Sequence, residues 1–149
     1  MKSFASALAV LSVFYTSTLA SPVEATTGAT TEAAEAVSVS VSYDTVFDTG
    51  SQSIDTVSCS NLNYATFADI PGYPNIGGAP TVSGWGSPNC GKCYQLTYGT
   101  TSIYVTAIDA APGGFNIAEA AMNSLTNNQA VALGRVTATY TEVDSSFCA

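Results

Sequence analysis

Four cysteines, eleven carboxylates and no histidine bound the chemistry open to this chain of 149 residues. Cys90-Gly91-Lys92-Cys93 is a CxxC, a spacing used by redox dithiols, by half-sites for zinc, and by neighbouring cysteines that each pair elsewhere. Zinc fails on donor count. Without histidine a tetrahedral site needs a second close cysteine pair, and Cys59 and Cys148 each stand alone. The choice between the other two depends on compartment. Residues 1–20, MKSFASALAVLSVFYTSTLA, set Lys2 before the apolar run Phe4 to Tyr15 and end in the small residue Ala20. That is the pattern of a secretory signal peptide, too short and wrongly flanked for a membrane anchor. In an exported chain this small, four cysteines predict two disulfides. Pairing Cys90 with Cys93 and Cys59 with Cys148 is the weakest connectivity, about 6.5 kcal/mol against roughly 8 for either alternative. Chain entropy leaves Cys59–Cys90 with Cys93–Cys148 and Cys59–Cys93 with Cys90–Cys148 equally open.

With no histidine, neither a Ser-His-Asp nor a Cys-His arrangement can form. No glycine-rich phosphate loop follows a strand, and no cofactor is implied. Carboxylate chemistry remains, above all glycoside hydrolysis by two acids. Asp109 ends the run SIYVTAID in phase with Ile103, Val105 and Ala107, so it is expected on the inward face at the mouth of a β structure. A partly desolvated carboxylate of that kind suits a general acid, and an Asp that caps its own turn is the structural alternative. Hydrolysis needs a second acid, and Asp44, Asp48, Asp69 and Glu119 are all open without a supporting motif. Carbohydrate binding needs less: an aromatic face for a sugar ring and a few amides or carboxylates for its hydroxyls. The candidates are Asp109, Asn116, Asn123 and Trp85, the only tryptophan, set between Gly84 and Gly86. Tyr64, Phe67 and Tyr73 either line a surface or staple down the loop that carries them.

These residues need a scaffold. Val37 to Tyr43, VSVSVSY, alternates strictly and predicts a half-buried strand. A short strand is expected at Thr56 to Ser58. Ser60 to Gly86 is dense in glycine and proline and reads as one long loop. Cys93 to Tyr98 and Ser102 to Asp109 predict a hairpin about Gly99, and Arg135 to Asp144 a final strand. Asn116-Ile-Ala-Glu119 has the form of a capping box opening a helix from Ile117 to about Thr126, with Ile117, Ala121 and Leu125 on one stripe. The class is mainly β with one or two short helices.

Residues 21–36 are built largely of Ala, Thr and Glu and are expected to be a disordered acidic leader or propeptide, leaving 37–149 as the folded domain. That domain has Lys92 and Arg135 against eight acids, a net charge of −6. Such a balance offers no footprint for nucleic acid or anionic membrane and suits a neutral partner such as a polysaccharide.

VSVSYDTVFD, TVSCS, GWGSPNCGKCYQLTYG, SIYVTAID and GFNIAEAAMNSLTNNQAVALGRV occur in order before a cysteine next to the C-terminus. Together they resemble the fungal cerato-platanin family over essentially all of residues 37–149. The resemblance implies a six-stranded double-psi β-barrel, shared with barwin and the first domain of expansins, and the disulfides Cys59–Cys90 and Cys93–Cys148. It implies a secreted or wall-associated fungal protein that binds chitin-type oligosaccharides and is perceived through a host receptor as an elicitor of defence; some members are allergens. It also implies self-assembly at interfaces, or a weak, non-hydrolytic, expansin-like loosening of wall polysaccharide. Asp109 matches the position where barrel relatives keep an important acid. The acid of the expansin HFD motif has no counterpart here, so no true glycosidase is expected.

Overall fold

The computed structural model describes residues 35–149. The expected signal peptide, and all but the end of the expected leader, lie outside the described residues. Six strands, β1 (Val37–Tyr43), β2 (Ile76–Ala79), β3 (Cys93–Tyr98), β4 (Thr101–Ala110), β5 (Phe115–Ile117) and β6 (Arg135–Val143), close into a barrel in the order β1-β5-β2-β4-β3-β6. Pairs β1–β5 and β2–β4 are parallel and the other four antiparallel. This is the double-psi barrel that the family resemblance implies. Two short helices, α1 (Glu119–Thr126) and α2 (Ala130–Leu133), complete the described secondary structure together with a few 3-10 turns.

The alternation in β1 works as an in–out code. Val41 is buried among the core residues while Ser38, Ser40 and Ser42 take the other face. Inside the barrel the rings of Tyr94, Phe115 and Tyr140 meet edge to face, with centroids 5.3 to 5.9 Å apart. Each such pair adds about 0.5–1.5 kcal/mol beyond the area it buries. The bridges join Cys59 to Cys90 and Cys93 to Cys148, with Cα separations of 5.4 and 5.8 Å. The CxxC is therefore the junction of two staples: one ties the long loop to the start of β3, the other ties the C-terminus to it.

Four expectations change. Thr56 to Ser58 is no strand; Ile54–Thr56 forms a 3-10 turn instead. The Ser53 hydroxyl accepts from the Asp55 amide, a local bond that competes with sheet pairing. The long loop Ser60 to Gly86 contains β2, whose sequence Ile-Gly-Gly-Ala reads as punctuation. Gly77 is required there because a Cβ would stand 2.4 Å from the Asn116 carbonyl oxygen, so closely does β5 pass. Asn116 and Ile117 belong to β5 rather than to a helix, and α1 begins only at Glu119. Asn116 therefore does not cap it. The carboxylate of Asp48, 71 residues upstream, accepts from the Glu119 and Ala120 amides at 2.8 and 2.9 Å. A distant acid fills the role expected of the local capping box, with the charge the helix N-terminus favours.

Candidate functional site

The register places Asp109 of β4 opposite Gly78 of β2, Gly78 opposite Asn116 of β5, and Asn116 opposite Ser42 of β1. Ser42 in turn faces Arg135 of β6. Five strands thus contribute to one row: Asp109, Gly78, Asn116, Ser42, Arg135. Gly78 supplies no side chain between Asp109 and Asn116, and its position is buried beneath Ala111. A Cβ at Gly78 would intrude to 2.9 Å from the Ala111 Cβ.

Asp109 reaches this row through an irregularity. The β2–β4 register shifts between Gly77 and Gly78, so Ala107 and Ile108 are both fully buried and Asp109 is half-buried. The alternation expected to carry Asp109 inward with Ile103, Val105 and Ala107 breaks at this bulge. Bulges of this kind re-aim side chains. Asp109 Oδ1 accepts from the Ser58 amide at 2.9 Å and from the Ala110 amide at 2.8 Å. Among the described residues none donates to Oδ2, which remains an acceptor.

Asn116 stands between buried Phe115 and Ile117, and its Oδ1 accepts from the Ser42 hydroxyl at 3.1 Å. It lines a shallow groove of about 350 Å³ with Ser42, Tyr43, Arg135 and the turn Ala111–Gly114. Arg135 donates to the Ser40 hydroxyl at 2.7 Å and has no carboxylate partner among the described residues. The groove is lined by no carboxylate and Asp109 lies outside it, two strands from Asn116.

Trp85 is 78% exposed, so of its two readings, accessible face and core anchor, the structure has the accessible face. Its loop leaves β2 at Ala79, opposite Ala110 and one pair beyond Asp109–Gly78. The frame is firm. Buried Ser87 accepts from the Ser83 and Asn89 amides, and Asn89 Nδ2 donates to the Thr81 carbonyl at 2.6 Å. The Thr81 hydroxyl meets the Tyr94 phenol at 2.7 Å. Burial pushes that phenol's pKa above its ordinary value.

Asn123 does not join them. Its Oδ1 accepts from the Ala130 amide at 3.1 Å, fixing α2 against α1, and it lines a separate depression with Thr45, Asp48, Glu119 and Ala120. That depression holds two carboxylates, but Asp48 uses both oxygens on the α1 amides. Of the other open acids, Glu119 lines that depression with Asp48, and two take local bonds. Asp44 accepts from the Val46 amide and Asp69 from the Thr66 amide and hydroxyl. The Thr66 hydroxyl and amide hold Asp69 below the usual carboxylate range. No second acid stands in the row that carries Asp109. In the long loop, Phe67 is buried against Phe47, the Tyr73 hydroxyl donates to the Asp48 carbonyl, and half-buried Tyr64 lines a second groove beside the disulfides. Phe67 and Tyr73 staple the loop. Gly78 and Ser42 were not among the sequence candidates; serine alternation in β1 was the available signal for Ser42, and nothing local marked Gly78.

The cerato-platanin family profile matches residues 39–149. Over 98% of this chain and 97% of the relative, the sequence is 53% identical to Allergen Asp f 15 of Aspergillus fumigatus. The crystal structure of cerato-platanin 1 from M. perniciosa superposes with a TM-score of 0.73 at 43% identity, covering 74% of this chain and 99% of that one. The solution structure of the fungal elicitor cerato-platanin gives 0.67 at 38% identity, covering 74% and 96%. A bacterial expansin from Clavibacter michiganensis shares the fold alone, with a TM-score of 0.55 at 15% identity over 74% of this chain and 51% of that one. The chain belongs to the cerato-platanin family.

Proposed function

We propose that the protein is a secreted cerato-platanin that binds chitin-type, N-acetylglucosamine oligosaccharides and acts as an elicitor of host defence. Members of the family are secreted fungal proteins, and two disulfides fit an extracellular domain. Residues 1–20 serve as the signal peptide and 21–36 as a leader ahead of the domain at 37–149. The observation that carries the reading is the row Asp109–Gly78–Asn116–Ser42 beside a shallow, carboxylate-free groove. Asp109 Oδ2 accepts from a sugar hydroxyl or acetamide N–H, Asn116 and Ser42 fix the neighbouring ring, and exposed Trp85 offers an aromatic face. Asn123 contributes by holding α2 in place. Elicitor action draws support from the relative described as a fungal elicitor; it implies a host receptor and a place outside the cell or on the fungal wall.

Calorimetric titration with chito-oligosaccharides, and with cello-oligosaccharides as control, tests the reading on wild type and Asp109→Asn. Saturable, chitin-selective binding weakened in the variant is expected. Absence of binding to either series would sink it. The second reading, a non-hydrolytic expansin-like loosening of wall polysaccharide, is favoured by the unpaired Asp109 Oδ2. It predicts weakened cellulose sheets with no soluble reducing ends, lost in Asp109→Asn. Reducing ends released by the wild type would instead make the protein a hydrolase.

A further inference from the structure

Beyond Arg135, where the groove's lining ends, the outer face of the sheet continues. β1 and β6 carry Ser40 opposite Thr137 and Ser38 opposite Thr139 on the side away from the core. Thr139 faces Thr97 of β3, and Thr97 faces Ser102 of β4, so one row of four hydroxyls crosses four adjacent strands. The next row runs from Thr141 to Gln95 to Tyr104. Tyr104 stacks on Phe147, with ring centroids 5.0 Å apart and planes 27° from parallel. Phe147 is 55% exposed and is held beside the Cys93–Cys148 bridge. From Arg135 to Tyr104 the path is about 20 Å along β6 and about 10 Å across two strand spacings.

Between Arg135 and Tyr104 the path carries only neutral Ser and Thr hydroxyls and the Gln95 amide, although the domain carries eight acids. Glu142 is out of phase with the rows and pairs with Lys92 at 2.7 Å. We propose that the oligosaccharide groove at Ser42, Asn116 and Arg135 continues as a track over this hydroxyl face to an aromatic stop at Tyr104 and Phe147, so that the ligand is a polymer spanning several sugar rings. This rests on the oligosaccharide reading of the groove. A neutral polyol is the occupant because the Ser and Thr hydroxyls keep donor or acceptor capacity for sugar hydroxyls beyond the Arg135–Ser40 and Thr97–Ser102 bonds, and because the far end supplies a ring-stacking surface. A protein partner would find no apolar centre on this face beyond that single aromatic pair.

Chain length separates the extension from the groove. Chitobiose and chitohexaose are titrated into the wild-type protein, Phe147→Ala and Thr139→Val, by calorimetry and by NMR. The hexamer is expected to bind about tenfold tighter than the dimer, and each variant to remove most of that gain while leaving dimer affinity unchanged. Shifts at Tyr104 and Phe147 are expected with the hexamer only. Hexamer affinity unchanged in both variants, or dimer and hexamer binding equally or weakened equally, confines the ligand to the groove and overturns the track. If neither sugar binds the wild type, the groove reading falls and takes the track with it.

Discussion

Asp48 and Asp109 are both half-buried, and both accept backbone amides from segments far away in sequence, yet they leave different amounts of chemistry unused. Asp48 divides its two oxygens between the Glu119 and Ala120 amides and so fastens the start of α1 to the turn after β1. Asp109 takes both of its bonds, from Ser58 and Ala110, on Oδ1. Residue type and burial do not distinguish them. The distinction lies in the hydrogen-bond accounting: one carboxylate is consumed by the fold, and the other keeps one oxygen as an acceptor.

The seam between the two regions gives the largest expected effect. Gly77→Ala drives a Cβ into the backbone of β5 at 2.4 to 2.6 Å, where no flexible side chain can yield. A loss of about 3 kcal/mol or more is expected, read as a lower midpoint in guanidinium unfolding, with oligosaccharide binding lost as the row opens. Asp48→Ala comes next. Two charge-assisted bonds and a favourable charge at the helix N-terminus disappear, costing about 2 to 3 kcal/mol, while dimer affinity at the groove stays unchanged. If that variant lost binding without losing stability, the comparison would be reversed. Asp109→Asn keeps Oδ1 as an acceptor, so stability should move by less than about 1 kcal/mol. Binding should fall about tenfold, read as a lost shift of Trp85 emission on titration.

The smallest effect is pH dependence. Asp69 and Asp144 are held below their ordinary 3.8 by bonds from Thr66 and Ser146. Their contribution is present above that value and lost as pH falls through the lowered native values. Tyr94 and Lys92 are raised from 10.0 and 10.5, by burial and by the Glu142 hydrogen bond respectively. Their contribution is present below those values and lost as pH rises through the raised ones. With no histidine to titrate between, stability measured by urea unfolding should be nearly flat from about pH 5 to pH 9. A marked step near pH 6 or 7 would contradict this.

The same contrast between local and distant causes separates the legible parts of the sequence from the rest. Strands β1, β3, β4 and β6 are long enough for alternation or β-branched content to declare them, and their observed bounds fall within a residue or so of those read from the sequence. β2 and β5 have four and three residues, and their identities are set by how closely they pass each other. Glycine at 77 and 78 looks like loop from the sequence because its reason is the other strand. Asn116 read as a helix cap because its neighbours fit the pattern; the actual cap, Asp48, is supplied by tertiary structure. Asp109 was a visible candidate, but its place in the row depends on a bulge that alternation cannot signal. Asn123 was a candidate by type and turned out to hold α2.

The most direct test is an amide-resolved NMR titration of the wild-type domain with chito-oligosaccharides, with Asp48→Ala and Asp109→Asn in parallel. The account predicts saturable shifts at Gly78, Asn116, Ser42 and the Ala111–Gly114 turn, retained in Asp48→Ala and much reduced in Asp109→Asn. Shifts centred on the depression of Thr45, Glu119 and Asn123, or shifts untouched by Asp109→Asn, would contradict it.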